Sequence, residues 1–274
     1  MELKDKCAII TGGAMGIGFA TCKRLLREGA VVTIWDLNRT ALKQAKQELS
    51  MFGSVFIHQC DVTKKEQVYK FARTAQKEMG KVDILINNAG YVSGGEFLER
   101  PEADWERTID VNLTALLYTT RAFLPEMYDR NSGHIVNISS AAGTIGVAGL
   151  AVYAATKWAV WGLTESLRME ALGNGKSGVK YSSIHPGYIA TGMFEGAKLG
   201  IPGRWIVPLV KNHDVIAKAI VNDALKKGKY SPKCPRTINL NLRFRAFMPD
   251  RWFQRFLIIM GVAGSMKSWH VRKQ

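Results

Sequence analysis

Short apolar segments alternate with longer helical patterns along most of this chain. The predicted strands cover residues 6–10, 30–35, 55–60, 83–86, 134–138 and 178–185. Strands that alternate with helices of about 10–15 residues predict right-handed crossovers and a parallel sheet. With 274 residues and 47% apolar content, the chain can form one sizeable core. We therefore predict a single α/β domain with a doubly wound parallel sheet in residues 1–245, followed by a basic amphipathic helical extension in residues 246–274.

A glycine-rich turn follows the first predicted strand and precedes a helical pattern over residues 19–28. The turn runs from Thr11 to Gly18 and contains the spacing G-x-x-x-G-x-G. Glycines allow the backbone to approach a pyrophosphate closely, and the N-terminus of the next helix favours its negative charge. The turn predicts a Rossmann-type dinucleotide site. Its candidate contacts are Gly12, Met15, Gly16, Ile17 and Gly18.

The second predicted strand is followed by Asp36. An acid about 20 residues beyond the glycine turn can accept hydrogen bonds from the adenosine ribose, and it repels the extra phosphate of NADP. Residues 11–18 contain no Lys or Arg, and Arg39 is the nearby basic residue that would weaken this preference. The sequence therefore predicts NAD, rather than NADP, as the cofactor.

The next two strand ends carry further candidate cofactor contacts. Asp61 and Val62 follow the third strand, where the acid can meet the adenine amino group. The fourth strand ends in small residues that leave room for a flat ring. The candidate contacts there are Asn88, Ala89 and Gly90.

Tyr153 and Lys157 are one turn apart on the same face if this segment is helical. A free phenol has a pKa of about 10. An ammonium about 4 Å away stabilises its ionised form by about 4 kcal/mol at an effective dielectric of about 20. The pair predicts a phenol that titrates close to working pH and acts as a general acid/base. Ser140, after the fifth strand, could hold the same substrate oxygen. For this spacing alone, an amphipathic helix with Tyr153 packed and Lys157 solvated is the alternative.

Together these motifs resemble the short-chain dehydrogenase/reductase family over roughly residues 5–245. The matching positions are Thr11-Gly12-x-x-x-Gly16-x-Gly18, Asp61, Asn87-Asn88-Ala89-Gly90, Asn112, Ser140, Tyr153-x-x-x-Lys157 and Pro186-Gly187-x-x-x-Thr191. They stand in the family's order and spacing. The resemblance implies a Rossmann fold and hydride transfer between NAD and an alcohol or its carbonyl compound.

The resemblance also implies individual roles. Tyr153 would be the general acid/base, and Ser140 would orient the substrate oxygen. Lys157 would lower the pKa of Tyr153 and bind the nicotinamide ribose, while Asn112 would hold a water that links Lys157 to solvent. Ser139 has the right chemistry but the wrong spacing, so we expect a structural role for it. Contacts to the nicotinamide side of the cofactor are expected from Pro186, Gly187, Ile189 and Thr191, with Thr191 at the carboxamide.

The segment over residues 192–208 is glycine-rich, apolar and too long for a simple connection, which is typical of a lid. The candidate substrate contacts are Ser140, Val147, Leu150, Met193, Phe194, Ile201 and Trp205. These side chains predict an apolar alcohol such as a retinoid, a steroid or a long-chain lipid. A reductase of 3-oxoacyl thioesters would normally prefer NADPH, so Asp36 disfavours it. A non-catalytic lipid-surface scaffold protein is the alternative of another class.

The C-terminal part of the chain is strongly basic. The net charge is +15, and residues 226–274 contain twelve Lys or Arg and one acid, Asp250. A helical pattern begins at Pro249, and its apolar face comprises Trp252, Phe253, Phe256, Leu257, Ile259, Met260 and Ala263. Basic and aromatic residues in this arrangement predict peripheral membrane contact through residues 249–273. The alternative is packing over the substrate cleft or a neighbouring subunit. Interleaved aliphatic side chains disfavour nucleic-acid binding.

The tail also resembles the ends of the retinol and hydroxysteroid dehydrogenase branch, although the N-terminal hydrophobic anchor common there is not found. We find no signal-peptide pattern, and the four cysteines are widely spaced. A cytoplasmic protein, peripheral at the membrane, is therefore expected. The five histidines lack metal-ligand spacing, so we predict no metal site. Apolar faces on the helix over residues 153–172 predict a homodimer or homotetramer, and packing of these faces in the core of one subunit is the alternative.

Overall fold

The structure is a computed structural model that describes residues 1–189 and 209–261. Within these residues, seven parallel strands form one sheet in the order β3-β2-β1-β4-β5-β6-β7. The strands are β1 (Cys7–Thr11), β2 (Val31–Asp36), β3 (Val55–Gln59), β4 (Ile84–Asn87), β5 (Gly133–Ile138), β6 (Val179–Pro186) and β7 (Lys233–Cys234). The predicted doubly wound Rossmann-type fold is confirmed. The short strand β7 was not predicted, because two residues show no periodicity.

Helices cover both faces of the sheet. They are α1 (Gly16–Arg27), α2 (Arg39–Leu49), α3 (Lys65–Met79), α4 (Glu102–Ile109), α5 (Ala115–Asp129), α6 (Ala151–Gly173), α7 (His213–Lys218), α8 (Ile238–Phe247) and α9 (Asp250–Ile259). On one face, α1 and α2 contribute Leu25 and Leu42 to a buried cluster. On the other face, α3 and α5 contribute Val68 and Phe123. Strands β1, β4 and β5 are buried throughout, as expected for strands covered on both sides.

The strand order reverses between β1 and β4, which lie side by side at the centre of the sheet. In open α/β sheets, ligands bind outside the carboxyl ends of the strands at such a switch point. Four strands end at this edge in residues of the predicted site or next to them: β1 at Thr11, β2 at Asp36, β4 at Asn87 and β5 at Ile138. The topology therefore gathers the sequence motifs at one edge.

The helix predicted over residues 101–129 is interrupted. Helix α4 ends at Ile109, a π turn covers Asp110–Thr114, and α5 begins at Ala115. A π turn inserts an extra residue into a helix and is frequent at functional sites. Asn112 lies within this π turn and is buried, with 2% of its surface exposed.

The last two described helices pack against residues around the start of α6. Helix α8 lies across the predicted domain boundary at residue 245. Helix α9 follows it after Met248 and Pro249 and buries Phe253 and Leu257. None of the helices in residues 1–189 and 209–261 is long and apolar enough to cross a membrane.

Candidate active site

Ser140 and Tyr153 form the centre of the candidate site. Ser140 is the second residue after the end of β5 and caps a short 3₁₀ turn, where its Oγ accepts a hydrogen bond from the N–H of Ala142 at 3.1 Å. Tyr153 lies in the first turn of α6 and is 5% exposed. The Ser140 hydroxyl hydrogen bonds with the Tyr153 phenol. The structure thus brings together two side chains that could both contact one substrate oxygen.

Lys157 is buried one turn after Tyr153. Its Nζ donates a hydrogen bond to the carbonyl of Ile138 at 2.9 Å and lies 5.6 Å from the centroid of the Tyr153 ring. Burial lowers the pKa of Lys157 to about 8. Ser139 donates from Oγ to the backbone carbonyl of Lys157 at 2.8 Å, so it ties the end of β5 to α6.

The pKa of Tyr153 differs from the expectation. The sequence pattern predicts a phenol near working pH, whereas burial raises the pKa of Tyr153 to about 12 in this structure. The hydrogen bond from Ser140 acts in the opposite direction but does not offset the loss of solvent. The alternative of a solvated Lys157 is also excluded, because the side chain is buried. The lysine alone therefore does not make Tyr153 a base near neutral pH.

Asn112 lies beside Lys157 and holds the backbone of Tyr91. Its Oδ1 accepts from the N–H of Tyr91, and its Nδ2 donates to the carbonyl of the same residue, both at 2.8 Å. Nδ2 also lies 3.2 Å from the Oγ of Thr156. A Cβ on Gly90 would stand 3.5 Å from Asn112 Oδ1 and 3.9 Å from Lys157 Nζ. The predicted neighbours therefore meet around Gly90.

The glycine turn forms a cradle that larger residues would fill. Gly12 has a φ of +60°, and a Cβ on it would stand 2.9 Å from the Cα of Ala89. A Cβ on Gly18 would stand 2.3 Å from the carbonyl oxygen of Gly12. Helix α1 begins at Gly16 with no acidic residue in its first turn and no side-chain cap from Met15. This open N-terminus fits a pyrophosphate.

Asp36 lies beside this cradle at the end of β2. Its two carboxylate oxygens accept hydrogen bonds from the N–H groups of Ala14 at 3.1 Å and Asn38 at 3.0 Å. Asp61 follows β3, and its Oδ1 accepts from the N–H of Thr63 at 3.0 Å. Both predicted carboxylates are therefore held by backbone donors at the same edge of the sheet.

The ends of β1 and β4 are joined by hydrogen bonds. The Oγ of Thr11 accepts from the N–H groups of Asn88 and Ala89, both at 3.0 Å. The side-chain amide of Asn88 donates to the carbonyls of Thr11 at 3.0 Å and Gly12 at 2.8 Å. Val62, after β3, is buried on the same side of the sheet as Ala89. The residues that follow β4 therefore hold the start of the glycine turn in place through these hydrogen bonds.

The predicted nicotinamide contacts after β6 are described as far as Ile189. The N–H of Gly187 donates to the carbonyl of Cys234 at 2.6 Å, and Ile189 pairs with Val210 in a parallel bridge. Pro186 is the last residue of β6. Thr191 lies outside the described residues.

An apolar cluster surrounds Tyr153 and contains two of the predicted substrate residues, Val147 and Leu150. It also contains Ala142, next to the Ser140 turn, and Ile145. The predicted substrate contacts outside the described residues are Met193, Phe194, Ile201 and Trp205, together with the lid over residues 192–208.

Five further buried members of this cluster were not predicted to belong to the site. They are Val92, Ala154, Tyr188, Phe253 and Leu257. Phe253 and Leu257 had been predicted to face lipid, and this is wrong because they are 5% and 9% exposed and pack in the Tyr153 cluster. Their i, i+4 spacing marks one face of a helix, but periodicity does not identify what that face contacts. These two residues pack on the protein itself, in the cluster that contains Tyr153.

Arg245 attaches α8 to the loop after Ser140. Its Nη1 donates to the carbonyl of Thr144 at 2.9 Å, and its guanidinium carbon lies 4.9 Å from the centroid of the Trp158 ring. Thr144 follows the 3₁₀ turn that Ser140 caps. Helix α8 is therefore attached to the loop after Ser140 and to α6.

Comparison with known proteins identifies relatives over most of the chain. Residues 6–200 match the family model described as short chain dehydrogenase. Epidermal retinol dehydrogenase 2 of Homo sapiens is 36% identical over 250 residues, which are 90% of this chain and 80% of that protein. The 17-beta-hydroxysteroid dehydrogenase 13 of Homo sapiens is 30% identical over 251 residues, or 91% of this chain and 81% of that protein.

Two solved structures share the fold. A short chain dehydrogenase/reductase from Burkholderia phymatum in complex with NAD has a TM-score of 0.80 and 27% identity, covering 90% of this chain and 94% of that chain. A metagenomic short-chain oxidoreductase in complex with NADP has a TM-score of 0.70 and 29% identity, covering 85% and 97%. Hence a nicotinamide cofactor belongs to this fold, and the neighbours include both forms. The chain is a member of the short-chain dehydrogenase family and an oxidoreductase that acts on CH–OH groups.

Proposed function

We propose that this protein uses NAD to interconvert an apolar alcohol and its carbonyl compound, with Tyr153 as the general acid/base. The observation that carries the proposal is the hydrogen-bonded pair of Ser140 and Tyr153, which lies within an apolar cluster. A substrate oxygen at this pair can contact both hydroxyl groups while its apolar part contacts the cluster. Dehydrogenation needs this combination of proton transfer and orientation.

The reaction assigns a separate task to each polar side chain. Ser140 donates a hydrogen bond to the substrate oxygen, and Tyr153 takes the proton of the alcohol in oxidation or returns it in reduction. When held by the glycine turn and Asp36, NAD⁺ would supply the hydride acceptor and a positive charge that would favour the ionised phenol. Lys157 adds a second positive charge one turn from Tyr153, and Asn112 holds the neighbouring backbone in place.

The preference for NAD rests on Asp36. Its carboxylate is fixed next to the glycine turn, where it would accept hydrogen bonds from the adenosine ribose and repel a 2′-phosphate. Initial rates with NAD and with NADP, followed by cofactor absorbance, test this preference. A higher kcat/KM with NADP would reject it.

The apolar substrate class rests on the Tyr153 cluster and on the names of the relatives. Val147, Leu150, Phe253 and Leu257 offer aliphatic and aromatic surface near the phenol. The relatives are named as retinol and hydroxysteroid dehydrogenases. A panel of retinol, hydroxysteroids, long-chain alcohols and 3-hydroxyacyl thioesters tests the class. Turnover confined to the thioesters would favour the alternative 3-oxoacyl thioester reductase.

The decisive test of the mechanism is Tyr153→Phe. We expect kcat to fall by about a hundredfold to ten-thousandfold, because this is the typical contribution of a general acid/base. Binding of NAD, measured by calorimetry, should remain within about twofold of wild type, because the ring and its apolar contacts are retained. An active Tyr153→Phe protein would reject the mechanism. Absence of turnover in the wild type across the panel would favour a non-catalytic scaffold protein.

The proposed assembly and location rest on exposed apolar side chains. On α6, Met169 and Leu172 are exposed and suit a homodimer or homotetramer contact. On α9, Trp252 and Ile259 are exposed next to basic residues and suit peripheral membrane contact from the cytoplasm. A monomeric mass by light scattering would reject the proposed assembly.

A further inference from the structure

A buried histidine contacts the backbone of Ser140 from the neighbouring strand. His185 lies near the end of β6 and is 0% exposed. Its Nδ1 lies 3.3 Å from the carbonyl oxygen of Ser140. Its Nε2 lies 3.0 Å from the hydroxyls of both Ser183 and Ser231. The imidazole therefore joins the reaction centre to the far edge of the sheet.

The polar chain continues to a buried ammonium group. Nζ of Lys233, in β7, donates to the Ser231 hydroxyl at 2.9 Å. The same ammonium lies 5.1 Å from the centroid of the Trp161 ring, and this ring meets His185 edge-on at 4.9 Å between centroids. Since β6 and β7 pair His185 with Lys233, the sheet itself sets this arrangement.

The partners of His185 define its tautomer. A backbone carbonyl can only accept a hydrogen bond, so Nδ1 carries the hydrogen that points to Ser140. Nε2 is then the acceptor, and the Ser231 hydroxyl, which itself accepts from Lys233, can donate to it. Burial and the charge of Lys233 lower the pKa of His185 to about 3, so the ring is neutral near neutral pH. The imidazole is therefore held by partners at both nitrogens.

We propose that His185 is a positioning residue for Ser140. The carbonyl of Ser140 accepts from the N–H of Gly143 at 2.9 Å as well as from His185, so two donors fix this peptide. The position of the peptide sets the position of the Ser140 hydroxyl next to Tyr153. This inference rests on the proposed role of Ser140 in alcohol–carbonyl interconversion. In that role, His185 keeps the Ser140 hydroxyl in the position from which it contacts the substrate oxygen.

Two substitutions distinguish the roles of the two ring nitrogens of His185. His185→Asn places an amide near the position of Nδ1 and can keep the donor to Ser140. His185→Gln places the amide near the position of Nε2 and leaves Ser140 without this donor. His134→Gln is the matched control, because His134 is also a buried neutral histidine, on β5, and its Nε2 lies 2.9 Å from the Ser182 hydroxyl.

Steady-state kinetics with NAD and retinol or a 17β-hydroxysteroid give the first readout. We expect His185→Gln to lower kcat by at least about tenfold, because a small displacement of a group that orients the substrate lowers the rate strongly. The KM for NAD should stay within about twofold of the wild-type value. His185→Asn should recover most of that loss, and His134→Gln should leave kcat unchanged. Equal losses in both His185 variants, or an equal loss in His134→Gln, would overturn the proposal.

A second readout needs no substrate. Nitrogen NMR of the wild-type protein with labelled histidine should show His185 with hydrogen on Nδ1 and no titration near neutral pH. A hydrogen on Nε2 would overturn the inference whether or not an alcohol is turned over. Absence of turnover in the wild type would instead reject the proposed function, so the two failures are distinguishable.

Discussion

At the residue scale, Lys157 occupies an unusual environment for a lysine. It is buried next to Tyr153, and its ammonium is hydrogen bonded to the Ile138 carbonyl. Removing an ammonium from water is unfavourable unless hydrogen bonds or opposite charges compensate. Burial is the cause of its lowered pKa. The protein therefore holds a charge near the phenol at some expense in stability, which is common at functional sites.

The unfavourable burial of the Lys157 ammonium predicts how Lys157→Met changes the free energy of unfolding as a function of pH. Between its folded pKa of about 8 and its ordinary value of 10.5, Lys157 binds a proton in the unfolded chain but not in the folded protein. Its contribution therefore makes the free energy of unfolding rise with pH in this window, and the penalty is largest below about pH 8. Lys157→Met should be more stable than wild type by about 1–3 kcal/mol near pH 7.

Urea denaturation of both proteins at about pH 7 and about pH 10 measures this effect. The stability difference should shrink at the higher pH, because wild-type Lys157 is then neutral in the folded state. A difference that does not depend on pH would show that the ammonium is not the cause. Turnover by the same variant reports separately on the proposed role of Lys157.

At the element scale, α9 shows what a sequence pattern can and cannot predict. The spacing of its apolar residues predicted a helix after Pro249, and the structure confirms one over Asp250–Ile259. The pattern could not distinguish Phe253 and Leu257, which pack near Tyr153, from Trp252 and Ile259, which are exposed. That difference depends on the loop after β5, which is distant in sequence. The π turn at Asn112 was missed for the same reason, because it accompanies a contact with Tyr91.

The two faces of α9 predict different effects of two neighbouring substitutions. Phe253→Ala removes a buried ring and should lower the free energy of unfolding by about 3–5 kcal/mol. Trp252→Ala is the matched control, and because Trp252 is 65% exposed it should change stability by no more than about 0.5 kcal/mol. Urea denaturation compares them. Equal losses in the two variants would contradict the packing of α9.

The same pair also tests whether Phe253 contacts the apolar part of the proposed substrate. If Phe253 limits the depth of the cleft, Phe253→Ala should shift the preference toward longer alcohols. Each additional buried methylene should raise kcat/KM by about fourfold relative to wild type. Trp252→Ala should leave the chain-length profile unchanged. The measurement is kcat/KM across a series of linear primary alcohols. An unchanged dependence on chain length in Phe253→Ala would show that Phe253 does not limit the length of the substrate.

At the scale of the whole molecule, the parallel sheet explains why so much of the candidate site was predictable. The glycine turn, the two carboxylates and Ser140 lie far apart in sequence, and each ends a strand or comes within two residues of its end. Once strand order is known, the carboxyl edge gathers them. The contacts that hold the motifs in place, such as Asn88 with Gly12 and His185 with Ser140, required the structure because no local pattern encodes them.

The distribution of charge over the whole molecule suits a protein that approaches an anionic lipid surface. Excess positive charge is concentrated after residue 226, and α9 exposes Trp252 and Ile259 beside Arg251 and Arg255. Each basic residue near such a surface contributes about 1 kcal/mol, and exposed aromatic and aliphatic side chains add apolar burial. Truncation of the tail would also remove Phe253 from the Tyr153 cluster, so point substitutions are the sharper test.

We expect the full-length protein to float with vesicles that contain phosphatidylserine, and to float less as salt increases, because salt screens the attraction. The double variant Trp252→Glu with Ile259→Glu should lose binding by at least about tenfold, since two acidic residues replace the exposed apolar side chains of the proposed membrane contact. Leu98→Glu is the matched control, because Leu98 is an exposed leucine outside α8 and α9. Equal flotation of all three proteins would exclude α9 as the contact, and absence of wild-type flotation would reject membrane binding itself.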